Sequence, residues 1–211
     1  MKVEIKICGI NTKESAVASH GAKYIGFVFC EDSPRFIQPD IVKTIIPYLR
    51  RSQKTVGLFV NEKIDLIKKI TLDLELDMIQ LHGNENESFI RKLKLLTNRK
   101  IIKAIPVKTI KDIKISEEFK NFCDMILFDT KTNNQFGGTG TSFDWKLLKN
   151  FKISKKWMIA GGLNINNIKE ALETTKPDIV DISSGVETER GIKCEKKIRD
   201  FIKYVKNYEK K

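Results

Sequence analysis

Residues 55–82 read TVGLFVNEKIDLIKKITLDLELDMIQLH, and this stretch decides the fold. It opens with TVGLFV, a run rich in β-branched and aromatic residues. It continues through a segment at 62–74 with apolar residues at three- and four-residue steps, and closes on a second β-rich run, MIQLH at 78–82. A strand, an amphipathic helix and another strand in that order form a βα repeat that feeds a parallel sheet. The same alternation runs in both directions. Strands are predicted at 3–8 (VEIKIC), 24–29 (YIGFVF), 55–60, 78–82, 100–105 (KIIKAI), 125–129 (MILFD), 157–160 (WMIA) and 179–183 (IVDIS). Helices are predicted at 12–20, 39–50, 62–74, 86–97, 109–120, 144–151, 166–175 and 195–208. Pro39-Asp40 and Ser142/Asp144 supply helix starts, because proline suits a first turn and short polar side chains cap free backbone N–H groups. Eight strands, each followed by a helix, predict an α/β fold: a single-domain (β/α)8 TIM barrel spanning 1–211, with residues 205–211 expected to fray. Strand count alone leaves an open doubly wound sheet as the alternative.

Composition narrows the function classes. With 211 residues, 41% of them apolar, and no composition break, the chain can build one sizeable core. No run approaches the roughly 18 apolar residues of a membrane span, and MKVEIKICG lacks the pattern of a secretion signal, so no membrane partner and a cytoplasmic location are expected. Cys8, Cys30, Cys123 and Cys194 are scattered without a CxxC or cysteine–histidine cluster, which predicts reduced thiols and neither a disulfide framework nor a zinc site. The net charge of +12 raises the question of nucleic acid. Its lysines, however, are spread over most predicted helices among glutamate and aspartate, with no aromatic-studded basic strand; no nucleic-acid partner is expected. The field favours an anionic substrate instead.

In a TIM barrel the chemistry sits at the C-terminal strand ends, and side chains alternate between barrel interior and helix layer. In EIKICGI at 4–10, Ile5 and Ile7 then face the helices while Lys6 and Cys8 point inward. The same parity turns Gln80 and His82, Asp129, and Asp181 and Ser183 into the interior. One rim thus collects a thiol, an imidazole and carboxylates. AGGLN at 160–164 and SSGVE at 183–187 follow the seventh and eighth strands, whose loops often hold phosphate in this fold, since glycine lets backbone N–H groups approach an anion. A third glycine-rich stretch, FGGTGTSFDW at 136–145, is long enough to fold over a substrate.

KICG at 6–9, GFVF at 26–29, SPR at 33–35, VGLFVN at 56–61, QLHG at 80–83, FDT at 128–130, GGTG at 137–140, FDW at 143–145, AGGLN at 160–164 and DISSGVE at 181–187 together resemble the phosphoribosylanthranilate isomerase family of tryptophan biosynthesis. The resemblance implies an Amadori rearrangement of a small phosphorylated substrate, with no cofactor or metal, by a monomer or homodimer. Carried over by position, it implies Cys8 as general base and Asp129 as general acid. It also implies Arg35 and His82 lining the substrate pocket, Arg35 toward the anthranilate carboxylate, and Gly161, Gly162, Ser184 and Gly185 at the phosphate. Cys30, Cys123 and Cys194 read as structural, and Phe201, Val205 and Tyr208 as a helix stripe facing the core. The chain departs from the family pattern after SSGVE, where the common PGxKD becomes RGIKC with Arg190 and Cys194, and at GINT, 9–12, for the commoner GIT. The first change bears on how the last βα loop is anchored. Another phosphate-binding barrel enzyme, such as a metal-dependent epimerase, would want a cluster of ligands, and the only histidines are His20 and His82. A catalytically silent barrel that binds an anionic metabolite or nucleic acid sits poorly with the presence of both Cys8 and Asp129.

Overall fold

A computed structural model describes residues 3–131, 142–149 and 151–208. Eight parallel strands form a closed barrel: β1 (Glu4–Cys8), β2 (Tyr24–Val28), β3 (Lys54–Phe59), β4 (Met78–Leu81), β5 (Lys100–Val107), β6 (Met125–Thr130), β7 (Lys156–Ile159) and β8 (Ile179–Ile182). Each strand pairs with the next, and β8 returns to β1 in the register Ile5↔Val180 and Ile7↔Ile182. That seam excludes the open sheet.

Period-two alternation builds two apolar layers. Outward residues such as Ile5, Ile7, Phe59 and Phe128 join the helices in the larger core, while Val56, Met78, Ile102, Leu127, Met158 and Ile179 fill the barrel interior. Each such fully buried side chain contributes roughly 1.5–3 kcal/mol of transfer free energy. Lys6 breaks the pattern: it is an interior residue with 0% exposure.

The helices are α1 (Lys13–Ala18), α2 (Pro39–Ile45), α3 (Ile64–Asp73), α4 (Glu87–Thr97), α5 (Ile110–Lys114), α6 (Ser116–Phe119), α7 (Ile168–Thr175) and α8 (Glu195–Tyr208). α8 turns Ile198, Phe201, Ile202 and Val205 into the core. The predicted helix at 109–120 is split into α5 and α6, and two others give way in part or whole to 3₁₀ turns. α2 begins at Pro39 as expected but stops at Ile45, giving way to a 3₁₀ turn at Ile46–Tyr48, since Pro47 lacks the N–H a continuing helix needs. After β6 the predicted helix at 144–151 is instead a 3₁₀ turn, Trp145–Leu148, with the Asp144 carboxylate accepting from Lys146 N. Trp145 and Leu148 stand three apart, the period of a 3₁₀ turn, and both are buried. The GGTG stretch at 137–140 lies outside the described residues.

One element was not anticipated. Between β8 and α8 the chain forms an antiparallel ribbon, β9 (Glu187–Glu189) and β10 (Ile192–Lys193), turned at Arg190-Gly191. Gly191 has φ +90°, and a Cβ there would run into the Pro34 carbonyl oxygen, so this turn lies directly on the loop after β2. Asn11 Nδ2 donates to Gly191 O at 2.9 Å. The unusual RGIKC sequence is thereby anchored to the loops after β1 and β2.

Candidate active site

The C-terminal strand ends open into a cavity of about 370 Å³. Cys8, Arg35, His82, Asp129, Gly161, Gly162 and Ser184 all line it, so seven of the eight residues singled out from sequence meet at one mouth. Gly185 is not among the lining residues. A Cβ there would strike the Leu163 carbonyl oxygen, so this glycine lets the loops after β7 and β8 pack together.

Cys8 ends β1 and is 5% exposed. Its room comes from β2: a Cβ on Gly26 would lie 2.8 Å from Cys8 Sγ. Burial raises the thiol's pKa, with Asp181 adding to the effect, while Lys6 and Lys193 pull the other way. Directly below, Lys6 Nζ donates to Asp181 Oδ2 at 2.7 Å. Burial opposes the charge on Lys6, but Asp181 and Cys8 outweigh it and raise the pKa of the ammonium. Burial also raises Asp181, with the Asp129 carboxylate adding to it against Lys6 and His82.

Across the mouth, Asp129 Oδ1 accepts from Thr130 N at 2.7 Å, and Asp129 Oδ2 lies 3.2 Å from His82 Nε2. Gln80 Nε2 lies 3.1 Å from His82 Nδ1. An amide nitrogen only donates, so Nδ1 accepts and the Nε2–H is turned toward Asp129. His82, read from sequence as a pocket wall, therefore also stands beside the carboxylate, its Nε2 the nearer nitrogen.

Arg35 is fixed before any ligand arrives. Its Nε and Nη2 donate to Glu187 Oε1 and Oε2 at 2.7 and 2.9 Å, and its stem lies over Gly9, whose φ is +81°. Glu187 also accepts from Lys193 Nζ and Gly191 N. Burial opposes the charge on Glu187, yet Arg35 and Lys193 hold its carboxyl below the usual range. Parity had turned Lys6, Gln80 and Asp181 inward without a role, while Glu187 and Lys193 went unnoticed, because their meeting depends on the short ribbon.

The glycine turns follow β7 and β8, the strands between β6 and β1, and a Cβ on Gly161 would come within 3.0 Å of Asp129 Oδ1. Gly161 and Gly162 have φ +85° and +64°, and Gly162 O accepts from Asn164 Nδ2 and Asn167 Nδ2. After β8, Ser184–Val186 forms a 3₁₀ turn, and Ser183 Oγ donates to Cys8 O at 3.0 Å. Gly161, Gly162, Ser183 and Ser184 thus line the cavity, and glycine turns of this kind can offer backbone amides to an anion.

A closed eight-stranded barrel whose C-terminal cavity is lined by a thiol, an imidazole, carboxylates and the glycine turns after β7 places the molecule among the TIM-barrel enzymes. Comparison with known proteins makes that class particular. The model of the family described as N-(5'phosphoribosyl)anthranilate (PRA) isomerase matches residues 5–204, and the chain belongs to that family. The N-(5'-phosphoribosyl)anthranilate isomerase of Thermoanaerobacter sp. (strain X514) is 42% identical over 206 residues, covering 97% of this chain and 98% of the relative. That of Clostridium acetobutylicum is 43% identical, covering 98% of this chain and 99% of the relative. The crystal structure of the Thermotoga maritima enzyme superposes with a TM-score of 0.89 at 36% identity, covering 97% of this chain and 99% of that one. A phosphoribosylanthranilate isomerase solved with reduced 1-(o-carboxyphenylamino)-1-deoxyribulose 5-phosphate gives a TM-score of 0.84 at 34% identity, with 97% and 99% covered.

Proposed function

We propose that the chain converts N-(5-phosphoribosyl)anthranilate to 1-(2-carboxyphenylamino)-1-deoxyribulose 5-phosphate, with Asp129 as general acid and Cys8 as general base. The observation that supports these roles is the placement of the two groups on β6 and β1, facing one cavity from different sides of the barrel. Asp129 gives its proton to the ribose ring oxygen as the C1′–O bond breaks, leaving a protonated Schiff base. Thr130 N and His82 Nε2–H then hold the carboxylate that remains. The Schiff-base cation acidifies C2′–H, and the Cys8 thiolate takes that proton to give an enolamine. Tautomerisation, with a proton arriving at C1′ and one leaving the C2′ hydroxyl, yields the ketone. The phosphate rests on the turns of Gly161, Gly162 and Ser184, with Gly185 allowing those turns to meet, and Arg35 faces the anthranilate carboxylate.

Every step is a proton transfer that these side chains can perform, so the reaction runs without a metal or cofactor, as an aldose–ketose isomerisation. The working form is a monomer or a homodimer in the cytoplasm. Purified protein should consume the substrate, followed by loss of anthranilate fluorescence, and should restore growth to a tryptophan auxotroph lacking this step. Cys8→Ser and Asp129→Asn should each lower kcat by about 10² or more. Near-normal turnover in either variant rejects that residue's role.

A further inference from the structure

Lys6 is fully buried inside the barrel, and no step above uses it. A lysine inside a barrel is expensive unless its charge is matched, so its partners reveal its role. Nζ donates to Asp181 Oδ2 at 2.7 Å. Cys8 follows two residues along the same strand, its side chain on the same inward face, so the ammonium and the thiol are electrostatic neighbours. Asp181 Oδ1 is buried without a hydrogen-bond partner among the described residues, so the cation is not locked by a saturated carboxylate.

We propose that Lys6 is a positioning residue for the isomerase reaction: its buried ammonium, anchored by Asp181, counters the burial of Cys8 and so favours the sulfur anion that removes the substrate proton. This rests on Cys8 being the base. Lys193 also favours the Cys8 anion, but it acts less strongly than Lys6 and is committed elsewhere. Lys193, reaching in from β10, spends its donors on Glu187 Oε1, Ser183 O and Ser183 Oγ, and its charge is answered by Glu187. β2 faces Cys8 with Gly26, which bears no charge. Asp129 on β6 and His82 beyond β4 act on Asp181, opposing its ionisation and favouring it respectively. One cation is therefore shared by two acids, Asp181 and Cys8, and removing either neighbour should move the thiol in opposite directions.

The test is alkylation of Cys8 by iodoacetamide across a pH series, without substrate, read by peptide mass spectrometry that separates Cys8 from Cys30 at the same cavity. Lys6→Met should raise the pH midpoint of alkylation by at least about one unit, the usual effect of losing an adjacent opposite charge, and slow the reaction about tenfold or more near neutrality. The rise of kcat with pH should move with it, and Lys6→Arg should restore much of the shift. Asp181→Asn should lower the midpoint, because Lys6 then has Cys8 alone. An unmoved midpoint in Lys6→Met, or a shift of the same sign in both variants, overturns the proposal. Should Lys6→Met fail to fold, Asp181→Asn decides alone: a lower midpoint supports it, and an equal or higher one rejects it. Turnover plays no part in the alkylation readout, so failure of the base assignment, seen as an active Cys8→Ser enzyme, remains a separate result.

Discussion

Cys8 and Gly26 illustrate how one residue's chemistry depends on what its neighbour lacks. The thiol occupies the place where a side chain on β2 would begin, at a 2.8 Å approach. Gly26→Ala must therefore push the sulfur aside or spread the two strands, at about 1–3 kcal/mol of overpacking. Thermal unfolding should report that loss, and kcat should fall by more than KM rises, since the base moves while the phosphate and carboxylate contacts stay. Unchanged kcat in a folded Gly26→Ala enzyme would show that the sulfur's position is not critical. At this scale the sequence was partly legible. Strand parity aimed Cys8, His82 and Asp129 at one rim, and the family resemblance supplied their roles. Parity also turned Lys6 and Asp181 inward, but it could not pair them, because their link joins residues 175 apart and buried lysine runs against ordinary expectation.

Among the elements, strands were the most legible, because short apolar runs rich in β-branched and aromatic residues mark strands buried on both faces. Helix lengths were less so. Pro47 cut short a periodic stretch, and the segment after β6 kept a three-residue rather than a four-residue step. The ribbon β9–β10 escaped notice since strands of two and three residues carry no period at all. α5 gives a check on local design. Asp112 accepts from Lys108 N, Thr109 N and Thr109 Oγ1, and Lys131 reaches its other oxygen. Although burial works against the charge, those donors bring its pKa from 3.8 down to about 2. A depressed carboxyl stabilises the fold above its unfolded value and loses that contribution as pH falls through the folded one. Asp112→Asn should cost on the order of 1 kcal/mol at neutral pH, measured by denaturant unfolding. The gap from the parent should shrink between pH 3.8 and about 2. A pH-independent gap would assign the loss to packing instead.

Over the whole molecule, the charge of +12 meets a substrate bearing a phosphate and a carboxylate. Such a field speeds the approach of anions and is screened within about 10 Å at 0.1 M salt. Raising ionic strength should therefore lower kcat/KM while leaving kcat nearly constant; equal salt dependence of both would place the effect inside the site rather than in capture. The ring itself has a further consequence. Its last contact, β8 against β1, has no covalent link, and the same contact delivers Asp181 to Lys6. During synthesis the first strand emerges long before its neighbour exists, so a chain halted short of residue 179 carries a lysine with no counterion in its interior and a thiol without its tuned surroundings. On the proposed roles, catalytic competence and ring closure arrive together.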